Sequence, residues 1–508
     1  MKLLLGPLLG LESDNLYTVC FVTPTGCDAA DVYFSNGKTV KALAVKTLHY
    51  GTFWRAEVEI EIPHHAEVIS YSIKIKKVVI ADQNKLDNWS FYVPPEGEDP
   101  QFIYTSCNGF SSPDLVSKTT EPYRLWKRIK KQQNQRINEL ENDGETTKAP
   151  YSMMLMGGDQ LYADSIWNDV PELKKWANKS EKEKSLKKES KLLSSQISKF
   201  YEALYFERWN QPETALMLAS IPSVMMWDDH DIFDGWGSYP QEMQNWPVYK
   251  TIFSAAKEYF ELFQIRSLKN QCLIGANNQH YSFGVTFRKT HIIALDNRSQ
   301  RTLKHIMSAA QWIDIISYLK NTVQEGNLLV LSAVPVVYRD FSAAESYVDT
   351  TPWEEELTDD LKDHWRAKEH QGERMKLIMH LLSNAKKRQT KAVASKTVIL
   401  SGDVHVGCLG VITDKTDGHT TKLHQVVSSG IVHPAPSRLA WLGIITSTND
   451  RDECLNEDNT ITSKILTPIH SNKYIRSRNY ATISTGTDHK LWINWQTENK
   501  DKPAYPID

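Results

Sequence analysis

Cysteine is scarce in this 508-residue chain, and what there is follows no pattern. The six cysteines, at positions 20, 27, 107, 272, 408 and 454, form neither a dense disulfide ladder nor a Cys-x-x-Cys zinc spacing, so free thiols in a reducing compartment are expected. An excess of one charge is missing too. With 59 basic and 62 acidic residues the formal charge is -3, so no global basic field points to nucleic acid or an anionic membrane, and any attraction for phosphate has to be local. No run approaches the roughly 18 to 20 apolar residues that span a bilayer. The stretch Met1-Lys-Leu-Leu-Leu-Gly-Pro-Leu-Leu-Gly-Leu11 has no small-x-small cleavage site and no twin arginine, and it reads as the start of a first strand, not a signal peptide. A soluble protein of the cytoplasm or another reducing compartment is expected, with non-classical secretion left open. No internal repeat of 20 to 50 residues is visible.

What the chain does have is one shape three times over. Ser152-Met-Met-Leu-Met-Gly-Gly-Asp159, Ile221-Pro-Ser-Val-Met-Met-Trp-Asp228-Asp229-His230 and Thr397-Val-Ile-Leu-Ser-Gly-Asp403-Val-His405 are apolar runs that break off into carboxylates. A run of about five apolar residues ended by Gly or Asp reads as a buried strand, and α/β sheets gather their ligand sites at the carboxyl ends of such strands. Carboxylates brought together repel unless they share protons or cations, and the attached histidines favour cations. The competing reading is that each Asp merely caps a helix.

At this length about two to four domains are typical. Residues 1–95 alternate or are β-branched, as in Leu16–Val22, Ala30–Phe34, Ala56–Ile62 and Ser70–Lys76, the pattern of a small antiparallel β-sandwich. Pro94 to Pro100 reads as a linker. From residue 101 to 508, strands alternate with helical stretches predicted at 122–141, 171–208, 249–264, 308–320 and 357–387, giving an α/β catalytic domain. Glu172 to Lys199 is rich in Lys, Glu and Ser and is expected to project as a solvated, charged helical insertion; a protein partner could use it, or it is simply a charged face. The final hundred residues, with Tyr480–Thr485 and Lys490–Trp495, read as closing strands of the catalytic sheets.

A further strand, Gln101–Ser106, ends in Cys107-Asn108-Gly109. Together with Gly158-Asp159-Gln-Leu-Tyr162, Trp227-Asp228-Asp229-His230-Asp231, Leu295-Asp296-Asn-Arg298 and Gly402-Asp403-Val-His405, in this order, the chain resembles the PhoD-like alkaline phosphatases, a branch of the calcineurin-like metallophosphatases. The resemblance spans about residues 100 to 410. It implies a metallophosphatase-type layered β-sandwich flanked by helices. It also implies a hydrolase acting on phosphate esters through a metal-activated hydroxide, and a site containing Fe(III). Two departures stand out: Asp231 sits where the family often has Glu, and Asp234-Gly235-Trp236 follows where it often has Asn.

Physical chemistry assigns roles beside the resemblance. Asp159, with two oxygens on a short stem, is expected to bridge two cations. Cys107 and Tyr162 would supply thiolate and phenolate, donors suited to Fe(III). Asp228, Asp229, Asp234 and Asp403 offer hard oxygens for Ca²⁺ or Mg²⁺, and His405 a ring nitrogen. His230 is the candidate to protonate the leaving oxygen or to steady the phosphate. Arg298 either holds a phosphate oxygen or pairs with Asp296, and Asn108 is placed with the substrate. His433 either borders the site or serves a structural turn; Tyr338-Arg339-Asp340 either walls the pocket or forms a surface ion pair. Trp227, Trp236 and Trp246 are expected in the core or pocket wall. The leading expectation is a phosphomonoesterase. The rivals are a phosphodiesterase or phospholipase-type enzyme, and an inactive scaffold that binds a protein through 171–208. No basic and aromatic stripe for nucleic acid is visible.

Overall fold

The computed structural model describes the chain except residues 144–147, 188, 276, 278, 343–362 and 391–394. Its centre is set by the continuous apolar runs. Phe102–Thr105, Met153–Gly157 and Ser223–Met226 are strands with every residue buried. They lie parallel, with Met153 opposite Phe102 and Leu155 opposite Val224. Such strands need apolar cover on both faces, which explains why they do not alternate.

On one side of this trio Asn479–Thr485 pairs antiparallel with Phe102–Thr105, followed by Leu491–Thr497 and Ala504–Ile507. On the other side Leu5–Leu11 pairs parallel with Ser223–Met226. It then turns antiparallel into Leu16–Pro24 and Gly51–Glu59, and onward into Thr39–Thr47, Ala30–Phe34 and Glu67–Ile75. The N-terminal all-β region and the catalytic region thus share one fourteen-stranded sheet, which crosses the expected linker. The second sheet orders Phe283–Phe287, Thr290–Leu295, Asn327–Ser332, Thr397–Ser401, Thr421–Val427, Gly407–Asp414 and Ile461–Leu466. The two sheets with their flanking helices form the layered α/β sandwich that the sequence suggested.

The helices at Arg124–Asp143, Pro247–Phe263 and Ala309–Asn321 match the predicted spans within a few residues. The predicted 357–387 helix is Gln371–Gln389 instead; residues 357–362 lie outside the described residues, and 363–367 form turns that send Asp363 and Trp365 inward. The 171–208 stretch is three helices, Pro171–Ala177, Glu181–Leu186 and Lys191–Trp209. It is not simply solvated. Leu193, Ile197, Tyr201, Leu204 and Tyr205 recur at helical spacing among the Lys and Ser and are buried. Glu202 on this helix accepts from the backbone amides of His49 and Tyr50 at 2.9 and 2.8 Å, which ties it to the N-terminal strands. Among the described residues no helix is long and apolar enough to cross a membrane.

Candidate metal centre

The three parallel strands of the first sheet and Thr397–Ser401 of the second all end at one place, and each hands over within two residues to a polar group. Cys107 follows Thr105, Asp159 follows Gly157, Asp228 follows Met226 and Asp403 follows Ser401. The chain must reverse sharply there. Cys107, Asp159, Asp403 and His405 all adopt left-handed backbone, with φ of 52°, 53°, 67° and 53°, a region that costs non-glycine residues energy and is often held at functional sites. Gly158 before Asp159 and Gly402 before Asp403 allow the close approach. A Cβ on Gly158 would stand 2.9 Å from the Asp228 Cβ, and one on Gly402 would stand 2.3 Å from the Ser106 Oγ.

Three sets of potential ligand atoms each lie within 4.8 Å of one another: Cys107, Asp159 and His405; Asp159, Asp229 and His230; Asp228, Asp229 and Asp403. Asp159 belongs to two of them, the position a bridging carboxylate would hold. Tyr162 joins the first set, its hydroxyl 3.3 Å from Asp159 Oδ2 and 3.2 Å from His405 Nε2. Ser429 Oγ lies 3.0 Å from Cys107 Sγ and accepts from the His405 amide at 2.9 Å, which links the two ends of that set.

The electrostatics are unfavourable for the protein alone. Burial, then Asp228, raises the Asp159 carboxyl far above its usual range, and Asp403 is raised likewise by burial and Asp228. Burial lifts Asp228 to about 7 despite Arg298. Burial and Asp159 push the Cys107 thiol up, and burial and Cys107 do the same to the Tyr162 phenol. Asp159 Oδ1 and Asp228 Oδ2 are buried and find no hydrogen-bond partner among the described residues. Buried acceptors are normally satisfied. Thiol, phenol, imidazole and orphaned carboxylate oxygens around one point are a donor set that fits cations of charge two or three.

Arg298 has no exposed surface. Its guanidinium bonds Asp228 Oδ1, donates to Asp363 Oδ1 and Oδ2 at 2.8 and 2.6 Å and to the Trp236 carbonyl at 3.0 Å, and lies 3.4 Å from Asp229 Oδ1. Asp296 instead accepts from Trp227 Nε1 and the Tyr281 amide. Asp231 braces the loops, accepting from the amides of Gln160, Leu161 and Asp228. Asn108 accepts from Trp126 Nε1 at 2.8 Å. Trp227 stacks on Phe260 and Trp236 on Phe253, in the core beneath the site.

At the mouth, His230 stacks on Tyr162, and its Nδ1 lies 2.8 Å from Asp164 Oδ2. Burial works against a proton on His230, but Asp164, Asp229 and Asp234 outweigh it and hold the imidazole well above its ordinary pKa. Asp234 sits at this rim with its side chain 35 % exposed, 3.8 Å from His230 Nε2 and outside the three ligand sets. His433 borders the site: its ring stacks on His405 at 3.6 Å and on Tyr162 at 5.4 Å, and burial lowers its pKa to about 4. Arg339 is buried and paired with Asp450.

Three participants escaped the sequence reading. Asp164 lies two residues past Tyr162, where its acid was a visible signal. Ser429 lies four residues before His433 in the sequence. Asp363 carried no local signal, because only the fold brings it to Arg298.

Comparison with known proteins bears on the family and the fold. Residues 97–354 match the family model described as PhoD related phosphatase. The uncharacterized protein YGR266W of Saccharomyces cerevisiae is 26% identical over 432 residues, which cover 72% of this chain; the chain spans 57% of that relative's length. The solved structure of PhoD superposes with a TM-score of 0.60 at 14% identity, covering 99% of this chain and 88% of that one. A purple acid phosphatase from yellow lupin (Lupinus luteus) seeds aligns over 99% of this chain and 74% of its own at 11% identity, with a TM-score of 0.49.

Proposed function

Because the chain belongs to the family of PhoD related phosphatases, we propose that it is a metal-dependent phosphoesterase, acting on phosphomonoesters at the centre between Cys107 and Asp403. The observation that carries this reading is the pair of buried, unpartnered carboxylate oxygens on Asp159 and Asp228 amid donors from four strand ends. Cys107, Tyr162, His405 and Asp159 would hold one cation, for which Fe(III) suits the thiolate and phenolate. Asp159, Asp228, Asp229 and Asp403 would hold a second, for which Ca²⁺ suits the carboxylates. When bound, such cations make water nucleophilic near neutral pH and neutralise charge on phosphate oxygens.

The chain's own groups supply the rest. Asp164 accepts from His230 Nδ1 and favours the protonated imidazole, so His230 can deliver a proton from Nε2 to the leaving oxygen. Arg298 acts from behind, fixing Asp228 and Asp229 in place while Asp363 satisfies the remaining arms of its fork. Asn108 sits close to the ligands, its amide donating to the Asp159 carbonyl at 2.8 Å, and would border the substrate. Metal analysis of protein purified without chelator, paired with turnover of an aryl phosphomonoester and its diester, tests the proposal. Two cations per chain and monoester turnover support it; a metal-free protein inactive with both esters after cation addition contradicts it. Diester preference would move the substrate assignment to the phosphodiesterase reading.

A further inference from the structure

We propose that the helix Arg438–Ser447 docks this protein onto an anionic phospholipid surface, with Leu439, Leu442 and Ile445 entering the boundary between headgroups and acyl chains and Arg438 and Arg476 meeting lipid phosphates.

The helix is a real element with an inner and an outer face. Ser437 caps its N-terminus by accepting from the Ala440 amide, and Trp441 turns inward, buried against Tyr474 at 5.1 Å. The outer face carries three large apolar residues beside the exposed Arg438 and Thr446. Leu439 is 80% exposed, Leu442 57% and Ile445 43%. At about 100° per residue these three fall on one arc of about 120°. Elsewhere among the described residues, exposed large apolar side chains occur singly or at most in pairs on one element. Single exposed leucines need no explanation, but a ridge of three on a ten-residue helix does.

Charge selects the occupant. From His433 through Asn449 the chain contains no Asp or Glu. Arg438 is exposed at the start of the helix, and the exposed Arg476 lies with its guanidinium 5.7 Å from the Trp441 ring while donating to the Pro436 carbonyl at 3.3 Å. Lys473 adds a charge nearby that it shares with Asp450 at 3.1 Å. An apolar ridge with cationic flanks complements an anionic lipid interface, where buried apolar area and attraction to phosphate add. A second copy of the same face would bring the two arginines against their own kind. The helix is also joined through Pro434–Ser437 to His433, whose ring stacks on His405, so the docking element lies a few residues along the chain from the metal centre.

The inference does not depend on the reaction, and vesicle co-sedimentation of the full chain tests it. Binding is expected to vesicles of phosphatidylcholine with phosphatidylserine, weaker to phosphatidylcholine alone, and weakened by salt. The double variant Leu439→Ser, Leu442→Ser should lower the partition coefficient at least about tenfold, because it withdraws most of the apolar ridge. Its turnover of a soluble aryl phosphate should equal that of the parent. Absence of binding to the anionic vesicles overturns the proposal, as does equal binding by the double variant. Loss of self-association instead of vesicle binding, read by light scattering, would identify the ridge as a contact between copies and equally overturn it. A chain inactive on every ester leaves the vesicle result intact, so the two readings fail separately.

Discussion

Asp164 Oδ2 lies 2.8 Å from His230 Nδ1, so one nitrogen of this imidazole is committed to a carboxylate and only Nε2 is left to work at the mouth of the site. Asp164→Asn should therefore lower turnover while leaving metal content unchanged. The loss should be part of the roughly 10²- to 10⁴-fold expected for His230→Ala, and largest for esters with poor leaving groups. Turnover measured across a series of aryl phosphates checks this. A loss equal for all leaving groups would assign the pair to holding phosphate.

Arg298 and Asp363 are a buried pair whose break should be costly. Asp363→Ala removes the carboxylate that meets two arms of the Arg298 guanidinium and also contacts Arg301. Breaking one partner of a buried pair typically costs about 3 to 5 kcal/mol. Chemical denaturation should show a loss of that order, and the loosened Asp228 should reduce metal retention during dialysis. Unchanged stability and metal content would contradict the positioning role given to Arg298.

The contribution of Asp228 and Asp231 to the pH dependence of the metal-free protein has a definite sign. Burial raises Asp228 from 3.8 to about 7 and Asp231 to about 6, so in this range the folded chain binds more protons than the unfolded one. Stability from these groups is greatest below their unfolded values and falls as pH rises through about 4 to 7. Cations replace the protons, so the rise in Tm on adding cation should grow across that window. Differential scanning calorimetry with and without cation checks the trend, and a constant cation effect would contradict it.

Tyr162 stacks with His230 and with His433 and lies 3.2 Å from His405 Nε2. Tyr162→Phe keeps the stack and removes the hydroxyl. If Fe(III) occupies the Cys107 side, the parent should absorb visible light through phenolate and thiolate charge transfer, and the variant should shift or bleach that band without unfolding. An active, fully metallated and colourless parent would exclude iron there.

Much of this site was readable because strand ends write themselves plainly. Met153–Gly157 and Thr397–Ser401 are apolar runs that Gly and Asp terminate, and both were placed with their ligands. The charged 171–208 stretch misled because Lys and Ser between Leu193, Ile197 and Tyr201 hid an inward face. Leu5–Leu11 was seen as a strand, but its pairing beside Ser223–Met226 is a long-range contact that no local pattern encodes. Asp363 illustrates the same limit: it meets the Arg298 guanidinium from 65 residues away, a contact that only the fold makes.

The most direct measurement is metal content and turnover of Asp159→Asn on one preparation. Asp159 is shared by two of the ligand sets, and its Oδ1 is buried with no partner among the described residues. An amide cannot offer two anionic oxygens, so the account predicts abolished turnover together with loss of bound cations. A folded variant that keeps two cations and near-parental turnover would contradict it.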